Sequence, residues 1–373
     1  MITIPLIKPY ITSEVKRKVC EVLDSGYLTE GPVTHEFEGQ FRAYIGCKHA
    51  IAVTSCTTGL ELALRAVGIG SGDEVIIPDF TYPATADAAG IVGAKIVIVD
   101  VTKDTMLIDY AGLQKAITKK TKAIIPVALF GNPLDYRFLN YIKQKYKVKI
   151  IEDAACAIGA EYNGVKVGNL VDISVFSLHP RKFITTGEGG IITTNSPWVA
   201  NWINRYKHFG MELSTARERA SFVSLGTNCK LSDVLSAIGV VQMRHIEELI
   251  TERRQLAMNY TGLLAGVKNI TLPRVTRMGV HSFQSFCVFV DKPCDVIKKM
   301  RMRGIEVQIG TYALHMHKAF KRTTSCAIIG RMRASTYAYR HCLVLPLYHG
   351  MKIDDQKKVV RCLERDIEGG END

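Results

Sequence analysis

Between Ala50 and Asp153 the sequence alternates short apolar, largely β-branched runs with helical stretches, and this alternation restricts its fold more than any other feature. Ala50-Ile51-Ala52-Val53, Glu74-Val75-Ile76-Ile77, Ala94 to Val99, Ala123 to Val127 and Val148 to Asp153 read as buried strands. Between them lie helices marked by Leu60, Leu64 and Val67, by Tyr110 to Ile117, and by Leu134 to Tyr146. Such a βα pattern predicts an α/β fold with a mostly parallel, doubly wound sheet covered by helices on both faces. Upstream, Glu14 to Ser25 and Thr34 to Tyr44 have helical spacing, broken by Leu28-Thr29-Glu30-Gly31-Pro32.

Sheets of this kind bind ligands beyond the carboxyl ends of their strands. Five features of the sequence fall at such ends: the turn Thr54-Ser55-Cys56-Thr57-Thr58-Gly59, Tyr82, Asn132, Asp153, and a polar loop holding Lys182. The first turn opens a helix, so free backbone N–H groups and the helix dipole converge on one point; it reads as an anion site or as an ordinary capped helix. Tyr82 suits a ligand face or core packing. The Lys182 loop, Ser177 to Gly190, sits between two β-branched runs, Ile173 to Phe176 and Ile191 to Thr194. Flanked by His179 and Arg181 and close to apolar strands, Lys182 is expected to lose its proton more readily than a surface lysine. A neutral lysine can condense with an aldehyde; the plain alternative is a solvated loop lysine.

Further on, Pro197 to His208 is predicted helical, Gly210 to Gly226 is rich in Gly, Ser and Arg, and one long helix is expected from Leu231 to about Leu264. The character then changes. Gln284 to Val290 alternates like a half-exposed antiparallel strand, Val296 to Arg303 reads as helix, Ile305 to Ile309 as strand, and Met332 to Tyr339 and Asp354 to Ile367 as helices. With 373 residues the chain is long for one core. A large domain over 1–260 and a small α+β domain over 261–373 are therefore expected.

The net charge of +12 is spread without long like-charge runs, and no nucleic-acid-binding motif appears, so nucleic-acid binding is unsupported and the charge is equally compatible with an anionic small substrate. The ten cysteines are scattered without a CxxC pair, which argues against a zinc site or a redox motif and predicts reduced thiols. No apolar run approaches the ~18 residues of a membrane span, and the N-terminus lacks a signal-peptide layout. No metal, membrane or nucleic-acid partner is expected, and the compartment expected is the cytoplasm.

Several motifs, in order, carry a resemblance over nearly the whole chain. They are Tyr27 to Pro32, Pro78 to Tyr82, Asp153 within Glu152-Asp153-Ala154-Ala155, and Ser177. Lys182 within His179 to Gly190, Asn228 through Ser232-Asp233 with Ala237-Ile238-Gly239, and Leu345-Pro346-Leu347 complete the series. Together they resemble the DegT/DnrJ/EryC1/StrS sugar aminotransferases, pyridoxal 5'-phosphate (PLP) enzymes of the aspartate-aminotransferase type I fold. The resemblance implies that Lys182 holds the cofactor aldehyde as an imine and, once freed, moves protons as base and acid. It implies that Asp153 keeps the pyridine nitrogen protonated, so that the ring acts as an electron sink. Thr57, Thr58 and Ser177 would bind the phosphate, Tyr82 would stack on the ring, and Asn228 would reach the phosphate of a partner subunit in a homodimer. Cys156 departs from the pattern, which more often has His or Gln there. A few relatives carry His in place of the lysine and act as dehydratases; Lys182 favours transamination.

The activity implied is transfer of an amino group, from L-glutamate through the pyridoxamine phosphate (PMP) form, to a nucleotide-linked keto-sugar. Transamination of a free cyclitol ketone, or a PLP-binding regulator without turnover, are the alternatives. The absorbance response to glutamate separates enzyme from regulator.

Overall fold

A computed structural model of the protein describes residues 2–212, 218, 220–321 and 323–368. Part of the Gly/Ser/Arg-rich stretch, 213–217 and 219, lies outside the described residues. Seven strands of the central sheet come in chain order as β1 (His49–Val53), β2 (Glu74–Pro78), β3 (Lys95–Val99), β4 (Thr121–Ile124), β5 (Lys149–Asp153), β6 (Ile173–Ser177) and β7 (Gly190–Thr194). An eighth, Cys326–Ile329, closes the far edge, so the spatial order is β1, β7, β6, β5, β4, β2, β3 and Cys326–Ile329. Neighbours pair parallel except β7, which runs antiparallel to both β6 and β1. The α/β class expected from the alternation is the one observed.

Successive strand residues face opposite sides, and here both sides are core. Ile76, Val97 and Ile150 pack in one cluster with Phe37, Phe41 and Phe176. Their neighbours Ile77, Ile98 and Ile151 pack in a second with Leu60, Leu64 and Val175. That double burial is why the strands read as unbroken apolar runs. The helices before and between them are α1 (Ser13–Ser25), α2 (Pro32–Ile45), α3 (Cys56–Ala66), α4 (Ala84–Ile91), α5 (Tyr110–Ala116) and α6 (Tyr136–Tyr146). They are followed by α7 (Pro197–Tyr206). No helix among the described residues is long and apolar enough to cross a membrane.

Three expectations need correction. The single long helix is two, α8 (Asp233–Arg244) and α9 (Ile246–Leu263), parted at His245. No Gly or Pro marks the break. His245 instead bonds Glu14 of α1 through Nε2 and Glu248 through Nδ1, each at 3.3 Å, so the bend is held partly by a remote helix. Phe286–Phe289 is not half-exposed but wholly buried. Its alternation separates two cores: Cys287 and Phe289 face the cluster of the large sheet, Phe286 and Val288 a third cluster with Leu343, Val359 and Leu363. The strand expected over 305–309 pairs only at Gln308–Ile309, against Val344 and Leu343. Upstream of it, Ile305 forms a bridge with Ile4 and the Glu306 N–H bonds the Ile4 carbonyl.

Asp233 ties the N-terminal segment to this frame. Helix α2 starts on Gly31-Pro32 with no side-chain cap of its own. The Asp233 carboxylate, 1% exposed, takes its place by accepting the N–H groups of Gly31 (2.8 Å), Val33 (3.1 Å) and Thr34 (2.8 Å) and the Thr34 hydroxyl (2.7 Å). A charge at a helix N-terminus is favourable, and its removal leaves buried donors unmatched. Asp233→Ala is expected to lower the unfolding free energy by about 3 kcal/mol, measured by denaturant unfolding; a loss below about 1 kcal/mol would mean water replaces the carboxylate.

Candidate active site

The carboxyl end of β5 carries Asp153. Its side chain is 5% exposed and accepts hydrogen bonds from the Thr85 hydroxyl (2.7 Å to Oδ2) and the Ala155 N–H (3.1 Å to Oδ1). Thr85 stands in the first turn of α4, with its hydroxyl 3.0 Å from that of Thr81. Burial nevertheless wins over these two bonds and raises the Asp153 pKa above the ordinary carboxylate value. A buried carboxylate in that condition is stabilised by a cationic partner. The preceding Glu152 plays no part, because strand alternation turns it to the opposite face, against Tyr136 and Ser174.

The Lys182 loop spans the end of β6 and the start of β7, with Ser177 opposite Gly190 in the ladder. A hairpin connection explains why β7 alone runs antiparallel. Lys182 is only partly exposed, not a solvated loop lysine. Its Nζ lies 3.1 Å from Cys156 Sγ, and its charge acts on Asp153. The expectation of easy deprotonation is reversed. Burial alone would lower the Lys182 pKa, but the contact with Cys156 and the Asp153 carboxylate outweigh it and leave it above the ordinary lysine value. The two basic residues that suggested otherwise are turned away: Arg181 bonds Gln308 (3.2 Å), and His179 is exposed, its Nδ1 accepting the Arg181 N–H.

Facing this hairpin is the N-terminus of α3. Ser55 caps it, accepting the Thr58 N–H at 3.0 Å, with Cys56, Thr57 and Thr58 in its first turn. A Cβ on Gly190 would lie 2.6 Å from the Ser55 carbonyl carbon and 2.7 Å from the Cys56 nitrogen, so only glycine lets the turn come this close. The Cys56 thiol is held protonated, its pKa raised well above normal by burial and by Asp153.

Thus Asp153, Lys182, Ser177 and the Thr57/Thr58 turn gather at one end of the sheet. Tyr82 stands at the mouth, 65% exposed, its ring 6.2 Å from that of Tyr312. Asn228 is exposed, and its Oδ1 accepts from Lys230 Nζ at 2.7 Å; the adjacent Cys229 carbonyl takes the Thr54 N–H of the same chain at 3.1 Å. Asn132 does not join them. Its amide is occupied by the Arg274 carbonyl and the Thr276 N–H, each at 3.0 Å, and it braces that segment. Thr85 escaped the sequence reading, although it sits in the first turn of α4 just beyond Tyr82, and Cys56 was read only as part of the turn that opens α3.

The residues present fit PLP. A buried carboxylate whose pKa burial raises suits a pyridinium nitrogen, an amine stands near it, and a helix N-terminus faces both as an anion site.

A profile of the DegT/DnrJ/EryC1/StrS aminotransferase family matches residues 9–364. The spore coat polysaccharide biosynthesis protein SpsC of Bacillus subtilis is 31% identical over 99% of this chain and 98% of its own. An uncharacterized protein of Methanocaldococcus jannaschii is 31% identical over 97% of both chains. Among solved structures, Spr1654 of Streptococcus pneumoniae, assigned as a sugar aminotransferase, superposes in its PMP form with a TM-score of 0.91 at 26% identity, covering 98% of this chain and 100% of its own. DesV of S. venezuelae, solved with a ketimine intermediate, gives a TM-score of 0.91 at 29% identity over 98% of both chains.

Proposed function

The chain belongs to the DegT/DnrJ/EryC1/StrS aminotransferase family, and from that premise we propose that it transfers an amino group from L-glutamate to a keto-sugar carried on a nucleotide. The cofactor is PLP, cycling through PMP; Spr1654 is known in both forms. The observation that carries the assignment is the Lys182 amine set beside the buried Asp153 carboxylate and faced by the α3 N-terminus.

When bound, PLP supplies the carbonyl that carries the amino group and a ring that withdraws electrons from the reacting carbon. Everything else belongs to the chain. Lys182 anchors the cofactor and then takes and returns a proton at the reacting carbon. Asp153 holds the proton on the ring nitrogen, while Thr85 and the Ala155 N–H fix the direction of its carboxylate. Thr57, Thr58 and Ser177 bind the phosphate, and Tyr82 covers one face of the ring.

A sugar substrate is supported by the likeness to SpsC and Spr1654. A nucleotide is supported by the net charge of +12. Ten free thiols support the cytoplasm as the compartment. The same reading divides the chain into a large domain, 1–260, and a small one, 261–373, with Cys326–Ile329 lent back to the large sheet. Glutamate added to the purified protein should bleach the absorbance of the lysine-bound cofactor, and a nucleotide-linked keto-sugar should restore it. No response to glutamate would favour a regulator, and restoration by a free cyclitol ketone alone would move the substrate to that class.

Assembly as a homodimer with shared sites is part of this proposal. Phe209, Phe222, Val223 and Leu225, on one short paired segment, are 53%, 67%, 49% and 91% exposed, and such uncovered apolar side chains support a second copy as partner. In that dimer Asn228 serves the partner's phosphate. Lys182→Ala and Asn228→Asp chains, each impaired alone, should then regain activity when mixed, because one of the two sites in a mixed dimer is intact. The Asp substitution opposes the phosphate with a like charge. No recovery after subunit exchange would mean that Asn228 acts within its own chain or at no site.

A further inference from the structure

Lys182 is gripped through its neighbours. The side chain of Gln284, 6% exposed and just ahead of the strand Phe286–Phe289, straddles the lysine. Its Nε2 donates to the Arg181 carbonyl at 2.8 Å, and its Oε1 accepts the Phe183 N–H at 2.7 Å. One side chain thus satisfies the residue on either side of the lysine and leaves the lysine's own N–H to the His179 carbonyl at 2.8 Å. The orientation of the amide follows from the network, since a carbonyl must meet a donor and an N–H an acceptor.

Gln284 is itself seated. Arg253 of α9, 5% exposed, donates to the Gln284 carbonyl at 2.9 Å and the Phe283 carbonyl at 3.3 Å. Its guanidinium also lies 4.9 Å from the centre of the Phe183 ring. Downstream, Gln242 of α8 accepts the Thr185 N–H at 2.8 Å and donates to the Tyr10 carbonyl at 3.0 Å. The loop is therefore held from outside the hairpin by side chains of three separate segments.

We propose that Gln284, seated by Arg253, is a positioning residue for Lys182, holding the backbone from which the amine reaches the reacting atoms. The inference rests on the assignment of Lys182 as the cofactor lysine. The chemistry asks for glutamine: Asn is one methylene short of spanning both partners, and Glu lacks the donor for the Arg181 carbonyl. Because Gln284 leads directly into the sheet with Cys342–Leu345, any movement of that sheet is felt at the lysine.

The test uses the holoprotein. Gln284→Met keeps the volume and removes both bonds, Gln284→Glu keeps only the acceptor, and Arg253→Met unseats Gln284 without touching the loop backbone. Misplacing a catalytic group by about 1 Å costs on the order of 10²-fold. Gln284→Met should therefore lose about 10–100-fold in kcat with KM for glutamate changed less than about threefold. The pH midpoint of the lysine-bound cofactor's absorbance should shift in the same variant. Gln284→Glu and Arg253→Met should fall between it and the wild type. A merely structural glutamine would lower the melting temperature and leave the midpoint and kcat of the folded enzyme unchanged, which would overturn the proposal.

Hydrogen exchange in the unmodified protein decides the matter should the variants fail to fold: the Phe183 N–H must be strongly protected, and free exchange there excludes the clamp. Absence of the absorbance band in the wild type, or its survival in Lys182→Ala, would instead remove the cofactor assignment; Phe183 exchange would still judge the clamp.

Discussion

Lys182→Ala is expected to abolish transamination, a fall beyond about 10⁴-fold, and to remove the absorbance of the lysine-bound cofactor. Alanine can neither anchor an aldehyde nor carry a proton to or from the reacting carbon. The fold should survive. The side chain is partly buried, but its amine makes one polar contact, to Cys156, and its removal relieves the desolvation of a cation. Lys182 backbone bonds, to Gln284 through its neighbours and to His179 directly, do not depend on its side chain. The melting temperature and circular dichroism of the variant should match those of the wild type. Turnover retained without any added amine would sink the assignment of Lys182.

Asp153→Asn carries the second-largest expected effect, a loss of about 10²–10⁴-fold in kcat with cofactor still bound. The exchange is nearly isosteric. An amide oxygen still accepts the Ala155 N–H, and the Thr85 hydroxyl can rotate to accept from the amide nitrogen, as its contact with Thr81 permits. What vanishes is the negative charge that holds a proton on the ring nitrogen. Burial raises the Asp153 pKa in the free protein, so the carboxylate gains from a cation placed against it, and the gain disappears with the charge. A change of less than tenfold would make Asp153 an ordinary strand-end carboxylate. Thr85→Val should show a weaker version of the same defect, since it loosens the carboxylate without discharging it.

The strands that place Asp153 and Lys182 were legible because each is buried on both faces, and two-sided burial leaves an apolar run that no other local feature produces. Where one segment faces two different cores, local pattern misleads: Phe286–Phe289 alternates as though half were wet, and none of it is. The break at His245 was illegible for a related reason. It is held by Glu14, and nothing in the residues around 245 announces a partner so far back in the chain.

The sequence by itself determined the α/β order of elements, and with it which turns lie at the carboxyl ends of the strands. It also determined which residue types meet there: an amine, a carboxylate, and a hydroxyl-rich helix start. Those follow from periodicity and from residue chemistry, both local properties. Only the tertiary structure decided the electrostatic state of Lys182. Its sequence neighbours are the basic residues His179 and Arg181, but its spatial neighbours are Cys156 and Asp153, and the direction of its pKa follows the latter. Only the tertiary structure brought Thr85 to Asp153, Gln284 to the lysine loop, and the Cys326–Ile329 strand to the edge of the large sheet. Each of these contacts joins residues far apart in the chain, and the pairing of such residues is set by how the layers pack, which no local pattern encodes.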